Sequence, residues 1–288
     1  MSRPHSSNPI TTNDIDKKLA AKTPKPLHLM THIVAGYPSV EVNLQTALIM
    51  EKTGVDFIEV QIPFSDPLAD GPTIMRANHR ALAAGMTPEK SFTFIKTLSQ
   101  TVSMPIIVMT YYNIPFKVGI DNFLSAATQA GVSGMIIPDI PYDATEPYLE
   151  LIKNYPVYPI FVVSPQITSL RLKKIASIAQ GFIYTTLRIG ITGSKTTLPP
   201  ESLDQFARLK QTLSIPIAAG FGLSAPEQLN SLIHHANIAV IGSKLLDIIE
   251  NHPSNINGRK NALTDLETFL TECNQTILQS NKTPKSHP

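Results

Sequence analysis

The chain has 288 residues, enough for one large domain or two ordinary ones. Hydrophobic residues make up 42% and charged residues 16%, which favours a sizeable core over disorder, and a net charge of +2 is too small for a nucleic-acid or membrane-surface binder. Cys273 is the sole cysteine, so an intramolecular disulfide and a cysteine-built metal cluster are excluded, and a reducing cytoplasm is the simplest location.

The opening stretch, MSRPHSSNPITTNDIDKK, is polar and lacks the apolar run of a secretory signal. It is expected to form an N-terminal segment over 1–26 with a short helix. The first candidate strand, 27–35, precedes a helix over 39–53 that opens on PSVE, with Ser39 placed to cap and Glu41 in the first turn. The second strand, 56–62, is followed by the longest gap, which holds an inserted segment over 72–84. Strands over 105–111, 134–139, 157–163 and 181–186 follow, with helices over 119–130 and 169–179 among them. A helix over 202–213 leads to strand 215–219. A helix over 224–235 starts from SAPEQL, with Ser224 as the expected cap, and leads to strand 237–241. Helices over 243–250 and 263–275 close the chain before a tail over 280–288. No apolar run approaches the roughly 20 residues that span a bilayer.

About eight strands alternating with helices over about 250 residues is the rhythm of an α/β chain folded as a (β/α)8 TIM barrel, here a single domain over 27–279. A doubly wound open sheet has the same alternation. The barrel is preferred because of where the acids and glycines fall.

Side chains in a strand alternate between faces. In DFIEVQI, Ile58, Val60 and Ile62 share an aliphatic face suited to packing under helices, which sends Phe57, Glu59 and Gln61 into the barrel. Glu59 and Gln61 then lie near the strand's C-terminal end, where barrel enzymes place their chemistry. A carboxylate there is partly taken out of water and suits proton transfer; a structural Glu paired with a buried Lys or Arg fits the parity equally well. Asp66 and Asp70 lie in the loop PFSDPLADGP, and both could cap turns or the next helix.

Glycines follow three later strands: Gly190 and Gly193 in RIGITGSK, Gly220 and Gly222 in AAGFGLSAPEQ, and Gly242 with Ser243 in VIGSKLL, the last opening a helix. Glycine lets backbone approach a ligand, and a helix N-terminus offers free N–H groups. Glycine loops after the seventh and eighth strands are a common phosphate site of barrels. Tyr184 could hydrogen-bond a reacting group or be a wall residue, and Tyr111, Tyr112 and Asn113 could line the same mouth. His32 reads as a core histidine. The eight histidines show no H-E-x-x-H, and the pair His234–His235 falls at an expected helix end, so no metal site is expected.

The stretch IEVQIPFSDPLADGPTI closely resembles the signature of the tryptophan synthase alpha subunit family. The resemblance runs from about residue 27 to 250 and includes AGYPS, RALAAG, MTYYN, IIPDIP, GITG, AGFGLSAPEQ and IGSKL. It implies a lyase that cleaves indole-3-glycerol phosphate to indole and glyceraldehyde 3-phosphate. It also implies a β-subunit partner, in an α2β2 heterotetramer, that carries pyridoxal phosphate and receives the indole; the alpha chain itself needs no cofactor or metal. By the motif, Glu59 matches the catalytic acid–base and Asp70 the aspartate that holds the indole N–H. Tyr184 matches a tyrosine near that Glu, and Tyr111 is a further candidate for the substrate pocket. Gly193, Gly222, Gly242 and Ser243 match the phosphate grip. The chain departs from the pattern at Gln61, usually Gly, at Leu187 and Ile189, usually small or polar, and at His32, usually apolar or aromatic. Gln61 is expected to donate to Glu59. These departures carry the second reading, a weakly active or inactive alpha-like partner that mainly activates the β subunit.

Overall fold

The computed structural model describes residues 12–21, 25–140, 146–186, 191–192, 195–196, 198–220 and 222–280. The strands are β1 (His28–Val34), β2 (Phe57–Gln61), β3 (Ile106–Met109), β4 (Val132–Ile136), β5 in two pieces (Tyr158–Ile160 and Val162–Val163), β6 (Ile183–Thr186), β7 (Ile217–Gly220) and β8 (Ile238–Ile241). Each pairs in parallel with its sequence neighbours, and β1 also pairs with β8 through Met30↔Val240. The first piece of β5 pairs with β4, and the second with β6. The chain is continuous through Phe161, whose carbonyl accepts from the Tyr184 N–H at 2.9 Å. The sheet therefore closes into a TIM barrel. A doubly wound sheet has two free edge strands and leaves no place for the β1–β8 pairing.

Two apolar layers follow from strand parity. Ile58, Val60 and Ile62 pack outward in one large core, together with Leu98, Phe123 and Leu245 from surrounding helices. Met30, Phe57, Ile107, Phe182 and Ile238 fill the barrel interior. The N-terminal helix α1 (Asp14–Leu19) closes the lower end and inserts the fully buried Ile15 among these residues. Gly134 makes room for it: a Cβ there would stand 3.0 Å from the Ile15 Cδ1. Asn13 caps α1 by accepting from the Ile15 N–H, and its side-chain amide donates to Ser133 O and Pro156 O.

Helix α2 (Val40–Lys52) starts at Ser39, whose hydroxyl accepts from the Val42 N–H as expected. The long gap holds α3 (Pro72–Ala83), the expected inserted segment, and then α4 (Pro88–Thr101), capped by Thr87. Next come α5 (Asn113–Val118), α6 (Ile120–Gln129), α7 (Glu146–Ile152), α8 (Ser169–Ala176) and α9 (Pro200–Thr212). The last two are α10 (Ser243–Glu250) and α11 (Ile256–Ser280). No helix among the described residues is long and apolar enough to cross a membrane.

Three expectations are corrected. The fifth strand is not continuous over 157–163, because its two halves serve different neighbours. The helix expected over 224–235 is a single short 3-10 segment, Pro226–Ser231. Ser224 does not cap it; instead the Gln228 side-chain oxygen accepts from the N–H groups of Ser224 and Ala225, which tightens the turn. The last helix is longer than 263–275: α11 spans 25 residues because its buried stripe, from Gly258 through Ala262, Leu266 and Phe269 to Ile277, lies along α2 and the 3-10 segment. The tail beyond Ser280 lies outside the described residues.

Candidate active site

The strand pairing that closes the barrel also sets the polar layer at its C-terminal mouth. His32 and Glu59 are register partners on β1 and β2, so both project inward side by side. His32 Nδ1–H donates to Glu59 Oε1 at 2.6 Å. Both groups are buried, with 3% of the His32 surface and 5% of the Glu59 surface exposed. Among the described residues neither a lysine nor an arginine bonds Glu59: its partner is a histidine, one residue pair across the sheet. Oε2 of Glu59 is buried and has no hydrogen-bond partner among the described residues. Burial opposes a charge on His32, but the bond to Glu59, the Glu59 and Asp70 carboxylates and Gln61 outweigh it and hold the imidazole above its usual 6.5.

Gln61, two residues along β2, points into the same mouth but does not donate to Glu59 as expected. Its amide donates to Asp70 Oδ2 at 2.6 Å. Asp70 reaches it because the loop after β2 turns back over the barrel: Tyr111 Oη accepts from the Ala69 N–H at 3.0 Å, and the Tyr111 ring stacks on Phe64 at 5.2 Å. Asp70 caps nothing. The N-cap of α3 is Gly71, with no side-chain cap bond. Burial raises the Asp70 carboxyl above 3.8; Gln61, His32 and Tyr111 pull it down, and Glu59 adds to the rise. Asp66 is exposed and bonds its neighbour Ser65, so it stays in the loop's surface role. Tyr111 is buried, and burial and the Asp70 charge push its phenol far above 10.0.

Tyr184 enters from β6, opposite Ala218 in the register. Its hydroxyl stands 2.5 Å from where a Cβ on Gly220 would lie, so this glycine makes room for the tyrosine. Burial, with Glu59 and Asp70 adding, pushes its phenol well above the usual value. Gly242 is the N-cap of α10, and Ser243 is that helix's first residue. A Cβ on Gly242 would lie 3.6 Å from the His32 Cβ. The helix end therefore abuts the His32–Glu59 pair. Gly222 is exposed and holds φ +63, a conformation that side chains rarely adopt. Hydrogen bonds from Thr73 to Asp247 and from Arg76 to Glu250 tie α3 to α10, so the Asp70 loop and the Gly242 turn share one support.

The structure thus gathers Glu59, Asp70, Tyr111, Tyr184 and Gly242 at one barrel end. Tyr112 turns aside to Phe116, at 6.0 Å. Gly193, Leu187 and Ile189 lie outside the described residues. His234 and His235 are remote from the mouth, and His235 stacks on Phe206. Among the described residues no group of three or more His, Cys, Asp or Glu is placed to hold a metal ion. Reading the residues singly missed His32 as a site residue; its signal is strand parity, which sets it beside Glu59.

The family model described as tryptophan synthase alpha chain matches residues 19–278. A tryptophan synthase alpha chain from Desulfotalea psychrophila is 40% identical over 81% of this chain and 92% of its own length. One from Geobacillus kaustophilus is 42% identical over 76% of this chain and 81% of its own. The crystal structure of the alpha chain from Legionella pneumophila superposes with a TM-score of 0.83 at 27% identity, covering 95% of this chain and 100% of that one. A chain of the tryptophan synthase complex from Pyrococcus furiosus does so with a TM-score of 0.76 at 31% identity, over 86% of this chain and 98% of that one.

Proposed function

The chain belongs to the tryptophan synthase alpha chain family, a family of lyases in tryptophan biosynthesis, and on that premise we propose that it cleaves indole-3-glycerol phosphate to indole and glyceraldehyde 3-phosphate. The observation that carries this reading is the placement of Glu59: inward, near the C-terminal end of β2, buried, with one carboxylate oxygen held and the other without a partner among the described residues. Breaking the bond between indole C3 and the glycerol chain by a retro-aldol route needs a proton delivered to C3 and a proton removed from the adjoining hydroxyl. Glu59 moves both, which returns it to its starting state. Protonated C3 leaves positive charge on the indole nitrogen. Asp70, a carboxylate in the same mouth with one oxygen occupied by Gln61, takes the N–H on the other and stabilises that charge. Tyr184 and Tyr111 wall the site. The phosphate sits on the N–H groups at Gly242 and Ser243, with Gly222 allowing close backbone approach, and by the family motif Gly193 belongs to the same grip.

The alpha chain uses no cofactor or metal in this reading. The indole passes to a tryptophan synthase β subunit, the site of pyridoxal phosphate, in an α2β2 heterotetramer in the cytoplasm. Two large apolar side chains on the mouth side support a partner there: Leu68, in the loop after β2, is 93% exposed, and Phe116, on the helix after β3, is 68% exposed.

One observation favours a second reading, an alpha-like chain that mainly activates the β subunit. Both acids already have side-chain partners, His32 on Glu59 and Gln61 on Asp70. Indole release from indole-3-glycerol phosphate, measured with the chain alone and with a β subunit, separates the two. The lyase reading expects release in both cases, faster with β. No release in either, with β-subunit activity still raised, leaves the second reading.

A further inference from the structure

His32 is joined to the site by three independent features. It is the register partner of Glu59. It donates to one defined oxygen of that carboxylate at 2.6 Å while the other oxygen has no partner among the described residues. Its Cβ backs onto the Gly242 turn, where an added Cβ would stand 3.6 Å away. A free carboxylate on a strand can rotate about its last torsion and offer either oxygen. One bonded through Oε1 to a buried ring whose Cβ backs onto a helix end is held in one orientation.

We propose that His32 is a positioning residue for the lyase reaction: it fixes Oε1 of Glu59, so that Oε2 alone faces the substrate, and sets that oxygen at a constant distance from the phosphate turn at Gly242. This rests on the lyase reading above. In the charged form the bond is an ion pair out of water, stronger and shorter than its neutral counterpart. Burial, which leaves Nε2 without a partner among the described residues, opposes that form, but the groups that face His32 favour it and prevail. Glu59 and Gln61 come from β2, and Asp70 from the loop after β2. Gly242, at the start of α10, backs onto His32, and Ile74 of α3 lies beside the same turn; neither titrates. Lys244 points away, its Nζ over the Phe269 ring. Tyr184, from β6, faces the two carboxylates and stays neutral. The imidazole therefore keeps its proton above pH 6.5, and as pH rises through its ionisation the grip on Glu59 weakens and turnover falls.

The test uses the full chain in four forms: wild type, His32→Phe, His32→Asn and Glu59→Gln. Indole release is followed against pH, and the imidazoles are followed by NMR titration, with the His32 signal identified by its loss in His32→Phe and, independently, in His32→Asn. Wild type should show the His32 signal titrating above 6.5, matched by an alkaline fall in kcat; Glu59→Gln should move that titration down. His32→Phe, of similar size but without a donor, should lower kcat by about tenfold to a hundredfold with little change in KM, and should lack the alkaline limb. In His32→Asn the introduced amide nitrogen lies close to where Nδ1 was, so this variant should recover part of kcat without the limb. A His32→Phe variant within about twofold of wild type in kcat, with the same pH profile, overturns the proposal, since a lost positioning contact should cost more. So does a His32 titration that Glu59→Gln leaves unmoved, which decides the matter even if His32→Phe does not fold. Absence of indole release from wild type at every pH would instead sink the lyase reading, while the titration in Glu59→Gln still judges the pair.

Discussion

Asp70 sits half-buried with its charge, and the groups around it set when that charge is present. Burial holds its carboxyl above 3.8, against the pull of Gln61 and His32. The anion is thus lost as pH falls through a value higher than an ordinary aspartate's, and indole binding should weaken starting above pH 3.8. A fluorescence titration of indole against pH checks this; binding that holds down to pH 3.8 would contradict it. Gln61 occupies one oxygen of Asp70, so Gln61→Gly should free that oxygen and tighten indole binding, and weaker binding would show that Gln61 is instead Asp70's support. The roles of these side chains were unevenly legible in the sequence. Parity alone puts Glu59 and Gln61 inward. The partner of Gln61 depends on a loop that Tyr111 pulls back over the mouth, a contact between residues 42 apart that no local pattern carries. His32 was legible by parity too, but a histidine among Leu29, Met30 and Ile33 has an equally good reading as core, and only the β1–β2 register separates them.

At the scale of elements, the lower end of the barrel is held by two devices remote from the chemistry. The first is α1, whose Ile15 is fully buried between Gly134 and Gly181. Ile15→Ala should cost about 2–5 kcal/mol of stability in urea unfolding and leave catalytic constants nearly unchanged; a cost under about 1 kcal/mol would mean that α1 is not part of the cooperative core. The second is Asp56, at the start of β2, which accepts from the Leu29 N–H and from Lys25 Nζ, each at 3.0 Å, with His28 Nδ1 at 3.4 Å. Burial raises its carboxyl, but His28, Lys25 and the Leu29 N–H outweigh burial and hold it below 3.8. A depressed carboxyl contributes stability that is present above its unfolded value and lost as pH falls through the folded one. Asp56→Asn should therefore destabilise by about 2 kcal/mol at neutral pH, with the difference from wild type shrinking below pH 3.8. A difference that stays constant from neutral pH down to strong acid would remove the ionic account. Strands and amphipathic helices were legible because burial imposes their periods. The helix expected over 224–235 was not: SAPEQL carries a start signal, but Gln228 folds back onto the N–H groups of Ser224 and Ala225 and makes a 3-10 turn instead. Sequence signals for a first turn do not say whether a second follows.

For the whole molecule, alternation of strand and helix left barrel and open sheet both standing, since each has the same order along the chain. What separates them is one long-range pairing, β1 with β8, and one bent strand at Phe161 that serves β4 with its first half and β6 with its second. Closure has a functional consequence. It brings β2, β6 and the turn after β8 to one rim, so Glu59, Tyr184 and Gly242 meet although they are spread over most of the sequence. The family match over 19–278 covers every one of these elements. The central claim is that Glu59 carries the proton in a carbon–carbon cleavage at this rim. Its most direct test is indole release from indole-3-glycerol phosphate by wild type and by Glu59→Gln, at equal concentrations and with the fold of each checked by circular dichroism. Turnover by the variant should fall by roughly two or more orders of magnitude while the fold is retained. Turnover close to wild type in a folded Glu59→Gln protein would contradict the account.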